Sequence, residues 1–503
     1  KCPTVRVDRL NLFVRRFYKG RAMERILSVE QMRAADEYTI KGLGLSREIL
    51  TERAAAAVAD EIRKRLYGGR VLVCCGKGNN GEDGKIIARI LSSLHGFTVA
   101  TLNVYNGIFK LLDKKFDIIV DCIFGTGLNR EVEGKYKEAI EKINSSGAFV
   151  VSCDIASGLN GDTGRIMGAA VKADLTVAIQ EYKLGHFLND GPDYSGEVVA
   201  RDIGISIWGD DYAKRLNDED AAKLFPKRAR NVNKGTFGKV TVMGGSKSFA
   251  GSAILASEAL AALKVGAGYA NLAIPECIYN VVAGREPECT TTVFPSDGEG
   301  FSFDEEKLET LFGSRSIAVG VGMGVSEENY KIITCLIKNY KGRLVIDADG
   351  LNTIAKYGKD VLKEKACEII LTPHIAEFGR LLGKDKEEVI KDPVTAAKAF
   401  AEEYGVVLVL KSAVTVITDG KEVYINTTGN AGLAKGGSGD VLTGLVAGLN
   451  SIAYKEEPLF IAAAGCYLFG KAGDIAVKES NEYSVVASDV IACIPKAINA
   501  VTK

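Results

Sequence analysis

The chain has 503 residues, more than one ordinary hydrophobic core organises, so two or three domains are expected. Hydrophobic residues make up 47% and charged residues 25%, the balance of a soluble globular protein. Lys+Arg and Asp+Glu both total 64, so no overall field recruits nucleic acid or a membrane, and an anionic ligand must be held by local structure.

Residues 1–22 stand apart. Lys1, Arg6, Arg9, Arg15, Arg16, Lys19 and Arg21 face one acid, Asp8. This basic segment lacks the long apolar core and small-residue cleavage site of a secretory signal. It is expected to be an extension upstream of a natural start at Met23; a basic targeting arm is the alternative.

From residue 25 to about 201, apolar strand runs alternate with amphipathic helices. Strands are expected at 70–75, 98–104, 118–122, 149–153 and 175–179. That alternation predicts a domain over 23–212 built on a parallel sheet covered on both faces. Cys74, Cys75, Cys122 and Cys153 lie in these runs, and the eleven cysteines contain no C-x-x-C pair, which reads as buried thiols of a reducing, cytoplasmic compartment. The loop Gly76-Lys77-Gly78-Asn79-Asn80-Gly81-Glu82-Asp83-Gly84 follows the first of these strands and precedes a helix, the arrangement of a dinucleotide-phosphate loop without the usual G-x-G-x-x-G spacing. Asp121 and the segment Asp154-Ile155-Ala156-Ser157-Gly158 close two more strands. Asn80, Asp121 and Ser157 would present oxygen ligands from neighbouring strand ends, suited to a hard cation; structural capping explains them equally well.

The stretch 210–220 is charged and poorly periodic and is expected to link to a second α/β domain, 213–503. Strands are expected there at 239–243, 270–274, 317–321, 344–347, 369–372 and 406–410. A hairpin of 414–418 and 422–426 is joined by Asp419-Gly420. No uncharged apolar run reaches membrane-spanning length, and three histidines exclude a histidine-rich metal site.

The most informative stretch is 429–444. Gly436, Gly437 and Gly439 let the backbone turn N–H groups toward an anion, and Asp440 sits where a helix begins. Val441, Leu442, Leu445, Val446 and Leu449 continue at helical spacing. A plain glycine turn with an aspartate cap is the alternative. Four further segments bear on Asp440: Lys234-Gly235-Thr236-Phe237-Gly238-Lys239, Gly320-Val321-Gly322-Met323-Gly324, Asp347-Ala348-Asp349 and Thr372-Pro373-His374, with Glu377 one helical turn on.

On these motifs the chain from about Asn233 resembles the ADP/ATP-dependent NAD(P)H-hydrate dehydratases, members of the ribokinase-like superfamily. That resemblance implies nucleotide-driven loss of water from the hydrated nicotinamide ring of NADH or NADPH. Asp440 would be the base. Ala259, Gly322 and His374, with Asp440, match positions that hold the hydrate. Lys411, Ser412, Ala413, Val414 and Thr415 match the ADP or ATP site, together with Asn430, Lys435, Gly436, Gly437, Ser438 and Gly439. Mg²⁺ between phosphates is expected. Family members usually read His-Pro-Gly-Glu and Gly-Pro-Gly where this chain has His374-Ile375-Ala376-Glu377 and Gly320-Val321-Gly322, so two loop-stiffening prolines are lost.

The region 24–201 resembles the NAD(P)H-hydrate epimerases often fused to the dehydratase, a Rossmann-like fold. The resemblance implies that Asn80, Asp121 and Ser157 bind K⁺. It makes Asp154 and Lys183, in Tyr182-Lys183-Leu184-Gly185-His186, the acid–base pair. Asn79, Asn80, Gly81, Glu82 and Asp83 would contact the dinucleotide, with Gly125, Thr126, Gly127, Leu128, Asn129, Arg130, Glu131 and Asp154. The family loop reads Asn-Asn-Gly-Gly-Asp-Gly, and Glu82 replaces its second paired glycine, adding bulk, charge and, if that glycine needs positive φ, strain of about a kcal/mol. Ala156 replaces a proline. A weakened epimerase is therefore expected. A homo-oligomer acting on NADH and NADPH hydrates, without nucleic acid or membrane, completes the picture. Two rivals share the features: a ribokinase-like small-molecule kinase, and an N-terminal half that only senses dinucleotides.

Overall fold

The computed structural model describes residues 23–107, 109–260, 262–285 and 287–503, without the side chains of residues 259, 260, 262 and 263. The basic segment 1–22 and the side chain of Ala259 lie outside the described residues. The chain divides into two compact units, one of Arg25–Ala213 and one dominated by Lys214–Lys503.

The N-terminal unit carries β1 (Glu24–Leu27), β2 (Gly69–Cys75), β3 (Phe97–Asn103), β4 (Ile118–Cys122), β5 (Phe149–Cys153), β6 (Leu175–Ile179), β7 (Tyr182–Lys183) and β8 (Glu197–Arg201). Six of these form a parallel sheet in the order β3-β2-β4-β5-β6-β8, and β1 pairs with β7. The central strands are apolar along their length because helices cover both faces. On one face Ala55, Val58 and Ile62 of helix Arg47–Arg65 and Ile87 and Leu91 of helix Asn79–Ser93 meet Val71, Val73 and Val120. On the other, Ile140 and Ile143 of helix Gly134–Asn144 meet Leu72, Ile119 and Val150. The five expected strands are present with ends shifted by at most one residue. The unexpected β8 is an edge strand of half-exposed residues, which leaves no apolar signal.

The C-terminal unit carries β9 (Ala213–Arg215), β10 (Lys239–Met243), β11 (Tyr269–Pro275), β12 (Thr290–Phe294), β13 (Ser316–Val319), β14 (Arg343–Ile346), β15 (Glu368–Leu371), β16 (Val407–Leu410), β17 (Thr415–Thr418) and β18 (Val423–Asn426). The order β12-β11-β10-β13-β14-β15-β16 is parallel; β17 and β18 follow antiparallel. The stretch 210–220, expected as a linker, contains β9 and the start of helix Asp218–Ala222, capped by Asn217. Helix Ser438–Ile452 is buried from Val441 to Ser451, as its all-round apolar sequence requires. It packs between helices Ala250–Leu260 and Pro458–Glu479. A Cβ on Gly465 would lie 2.7 Å from Val446 Cγ2, so that crossing needs glycine. Pro458–Glu479 is long and apolar enough to cross a membrane by length and composition, yet two-thirds of its apolar window is buried in the fold.

Parallel strands bring their C-terminal ends to one edge, where loops 244–246, 320–324, 347–349, 372–374 and 411–415 gather. One expectation fails here. Lys234-Gly235-Thr236-Phe237-Gly238-Lys239 enters β10 at its N-terminal end, the opposite edge from Asp440. It is structural: Arg315 donates to the carbonyls of Thr236 (3.1 Å) and Gly235 (3.5 Å), Ser451 Oγ donates to that of Phe237 (3.0 Å), and a Cβ on Gly268 would lie 1.6 Å from the Lys234 carbonyl.

Candidate active sites

Asp440 stands in the first turn of helix Ser438–Ile452, after Gly437, whose φ of +90° a side chain would strain. Lys411 at the end of β16 reaches Asp347 at the end of β14, Nζ to Oδ1 at 2.8 Å. Asp347 is buried, and its Oδ2 accepts from Thr443 Oγ1 at 2.6 Å, one helical turn beyond Asp440. A Cβ on Gly439 would lie 3.3 Å from Lys411 Nζ, so the ammonium lies under the glycine turn. Burial pushes the Asp440 carboxyl up to about 7; Asp347 and Asp349 add to the shift, while a Ser252 hydrogen bond and Lys411 oppose it. Burial alone would lower the Lys411 ammonium, but Asp347, Glu377 and Asp440 together hold it above its ordinary value. The result is a cation locked in place beside a carboxyl poised to exchange a proton near neutrality.

The neighbouring loops are fixed by close backbone approach. A Cβ on Gly320 (φ +119°) would lie 2.1 Å from the Asp347 carbonyl, and Ala348 between the two aspartates takes φ +50°. His374 caps helix Ile375–Leu382: Nδ1 accepts from the N–H groups of Ala376 (3.1 Å) and Glu377 (3.2 Å), and its own N–H donates to Glu377 Oε2 at 2.8 Å. This box sets the turn without the family's proline, with Ile375 in the first helical position. Pro373 O accepts from Lys411 N at 2.8 Å, which ties the His374 segment to the lysine.

Thus Gly322, His374, Lys411, Gly437, Ser438, Gly439 and Asp440 share one rim, with Ser412, Ala413, Val414 and Thr415 continuing from Lys411 toward β17. Asn430 and Lys435 turn elsewhere. Asn430 Nδ2 donates to Asp474 Oδ1 at 2.8 Å and its Oδ1 accepts from Gly432 N at 3.0 Å; Asp474 Oδ2 also accepts from Gly429 N at 3.2 Å. Lys435 Nζ donates to the Tyr483 carbonyl at 2.5 Å. These two side chains anchor the loop. Asp347 lies in a segment expected to bear on Asp440, whereas Thr443, Ser252 and Asp474 were not expected in these roles; of those three only Thr443, three residues after Asp440, carried a local signal.

In the N-terminal unit the glycine loop becomes the start of helix Asn79–Ser93, with Gly78 in the cap position. A Cβ on Gly76 would lie 1.9 Å from the Ile123 carbonyl and one on Gly81 2.1 Å from the Gly76 carbonyl, so both glycines are sterically required. Glu82 is helical and does not take positive φ, so the expected strain is absent. Its side chain is 60% exposed and paired with Lys85 at 2.7 Å. It lines a cavity of about 940 Å³ with Asn79, Asn80, Asp83, Gly125, Thr126, Gly127, Leu128, Asn129, Arg130, Asp154 and Lys183. Gly81 is packed beneath that wall, and Glu131 lies outside it, near Gly168.

Asp154 takes φ +68° and accepts from Ile179 N at 3.0 Å on the Oδ1 that pairs with the buried Lys183. His186 holds both: Nδ1 accepts from Lys183 N at 3.1 Å, which leaves Nε2–H to donate to the Asp154 carbonyl at 2.8 Å. Burial, then the Lys183 charge, pushes His186 down to about 4, so it is neutral. Burial, with Asp154, Glu82 and Asp36, pushes Asp83 up to about 7.

Asp121 accepts from Ser157 Oγ (2.6 Å), Ile123 N (3.2 Å), Ser152 Oγ (2.8 Å) and Ser157 N (2.8 Å). Asn80 Nδ2 donates to the Phe124 carbonyl at 2.7 Å; the buried Asn80 Oδ1 has no hydrogen-bond partner among the described residues.

Residues 240–496 match the family model described as NAD(P)H-hydrate dehydratase, and residues 47–110 and 104–185 match that of the YjeF-related protein N-terminus. The bifunctional NAD(P)H-hydrate repair enzyme Nnr of Thermofilum pendens is 34% identical over 95% of this chain and 96% of its own. The enzyme of the same name from Archaeoglobus fulgidus is 35% identical over 90% of this chain and 95% of its own. The chain belongs to the family of bifunctional NAD(P)H-hydrate repair enzymes. Among solved structures, the protein SMU.573 of Streptococcus mutans is 25% identical with a TM-score of 0.50, covering 57% of this chain and all of that one. The ADP/ATP-dependent NAD(P)H-hydrate dehydratase of Bacillus subtilis, co-crystallised with ATP and Mg²⁺, is 26% identical over 57% of this chain and 97% of its own, with a TM-score of 0.49. The two family models fall on the two units described above, each built around a parallel sheet.

Proposed function

We propose that the C-terminal unit dehydrates NADH and NADPH hydrates at the expense of ADP or ATP, and that the N-terminal unit interconverts the epimers of the hydrate. One observation carries the first half: Asp440, poised near neutrality at a glycine-lined helix start, sits beside the Lys411–Asp347 pair. Hydroxide is a poor leaving group, whereas a phosphorylated hydroxyl leaves readily. Asp440 takes the proton from the ring hydroxyl as its oxygen bonds to the terminal phosphorus of the nucleotide, whose shortened product departs. The phosphate then leaves the ring, and a proton lost from the adjacent carbon restores the double bond. N–H groups of Gly437, Ser438 and Gly439 face the transferred phosphate at a helix start, and Lys411 supplies a fixed positive charge. Asp349 and Glu377, the other carboxylates of the rim, would hold Mg²⁺, which supplies charge neutralisation between phosphates.

In the N-terminal cavity Asp154 and Lys183 act on the reacting ring, kept in register by His186. The cation set is all oxygen, and the unpartnered Asn80 Oδ1 beside Asp121 and Ser157 fits K⁺, which would supply fixed charge near the dinucleotide. Cytoplasmic residence and a homo-oligomer belong to the same reading.

The test is direct. The protein is incubated with hydrated NADH and ADP or ATP, and the near-ultraviolet absorbance of the reduced nicotinamide is followed. Full recovery is the expected outcome. Recovery of one epimer's share leaves only the dehydratase standing, and no recovery, with phosphorylation of a small alcohol instead, overturns the reading in favour of a kinase.

A further inference from the structure

The turn between β10 and helix Ala250–Leu260 carries an aromatic side chain in an unusual place. Phe249 is 55% exposed, beside the rim that carries Gly322, His374, Lys411 and Asp440. Its backbone is held firmly. Gly245, at φ +84°, donates its N–H to the Val321 carbonyl at 2.8 Å; Phe249 N–H donates to Ser246 O at 3.0 Å, and Ser252 N–H to Phe249 O at 3.2 Å. The turn is thus stitched to the loop that carries Gly322. A Cβ on Gly322, itself at φ +61°, would lie 2.8 Å from the Cβ atoms of both Phe249 and Ser252. The Phe249 and Ser252 side chains therefore both leave their backbone beside the side-chain-free surface of Gly322. Ser252 is also close enough to Asp440 to favour its ionised form, against the upward push of burial.

We propose that Phe249 and Ser252 form the wall that receives the damaged nicotinamide: the Phe249 ring packs against the uncharged, partly saturated pyridine ring, and the Ser252 hydroxyl aims the Asp440 carboxylate at the ring hydroxyl. This rests on the dehydratase reading above. Phe249 touches substrate, while Ser252 is a positioning residue acting through Asp440. The pyridine ring offers an apolar face that an exposed phenyl group can cover, whereas the nucleotide's phosphates need the glycine turn and Lys411. Loss of the ring must therefore affect the hydrate and spare the nucleotide.

The experiment compares Phe249→Ala, Phe249→Tyr and Ser252→Ala with the wild type in the full chain, measuring kcat and separate KM values for NADH hydrate and ATP. Phe249→Ala is expected to raise the hydrate KM about tenfold with the ATP KM unchanged, and Phe249→Tyr to restore it. Ser252→Ala is expected to leave both KM values and lower kcat, with the acid limb of its pH profile moved to higher pH, because the hydroxyl stabilises ionised Asp440. A hydrate KM within twofold of wild type in Phe249→Ala, or an equal rise in both KM values, overturns the proposal while the dehydratase stands. A wild type that does not restore NADH overturns the dehydratase reading and the proposal with it.

Discussion

The two glycine loops look alike in sequence and do different work. In residues 76–84 glycine is demanded by packing: Gly76 and Gly81 each abut a carbonyl, and Asn79, Asn80, Glu82 and Asp83 line the cavity. In residues 436–440 packing demands only Gly437, whose Cβ would lie 2.7 Å from Leu255 Cδ1, while Gly436 and Gly439 serve exposure. Among the described residues nothing lies within 4 Å of a Cβ on Gly436, and one on Gly439 would meet only Lys411 Nζ and Asp347 Oδ2. The first loop is a buttress that carries polar side chains to a cavity. The second is a largely bare backbone surface with the Asp440 carboxyl at its end. A glycine-rich strand-to-helix turn therefore specifies close approach, and only the surroundings decide whether protein or ligand does the approaching.

The contrast can be broken most sharply at Asp440. Asp440→Asn keeps the shape and the helix start but cannot accept a proton, so kcat for hydrate loss is expected to fall about 10³-fold while ATP still binds, by calorimetry. Retained turnover would refute the base assignment. Next in size, Gly81→Ala should destabilise the N-terminal unit by about 3 kcal/mol in denaturant unfolding. Gly436→Ala, in open space, should leave stability within about 0.5 kcal/mol; equal costs would erase the distinction between the loops.

A smaller effect lies in the pH dependence. Asp440 works as a base only when ionised, and its carboxyl is pushed up to about 7, so kcat should rise with pH through that value and flatten above it. Asp347→Asn removes the nearby charge that helps raise Asp440, and should move that limb to lower pH. A limb that stays put would separate Asp347 from the proton transfer. Smallest is Glu82→Gly. Glu82 lies on the cavity wall and adds to the upward shift of Asp83, so removing it should raise epimerisation a few-fold, measured by the rate at which the second epimer becomes available to excess dehydratase. No gain would show that pairing with Lys85 already neutralises it.

The sequence by itself determined most of the frame. Apolar runs bounded by glycine and aspartate fixed the central strands to within two residues at each end, because a sheet buried on both faces leaves an uninterrupted apolar signature. The start of the helix that carries Asp440, after Gly437, was legible for the same reason. The edge strands β8 and β12 were not, since one lies half exposed and the other is rich in threonine. Tertiary structure alone decided which motif faces the ligand. It carried Lys234-Gly235-Thr236-Phe237-Gly238-Lys239 to the far edge of the sheet, turned Asn430 toward Asp474, and made position 82 helical, where no residue needs positive φ. It also joined Asp347, Lys411 and Thr443, which are up to 96 residues apart. Local pattern records what a residue's own segment buries, whereas hydrogen bonds and charge coupling between segments exist only once the chain has closed on itself.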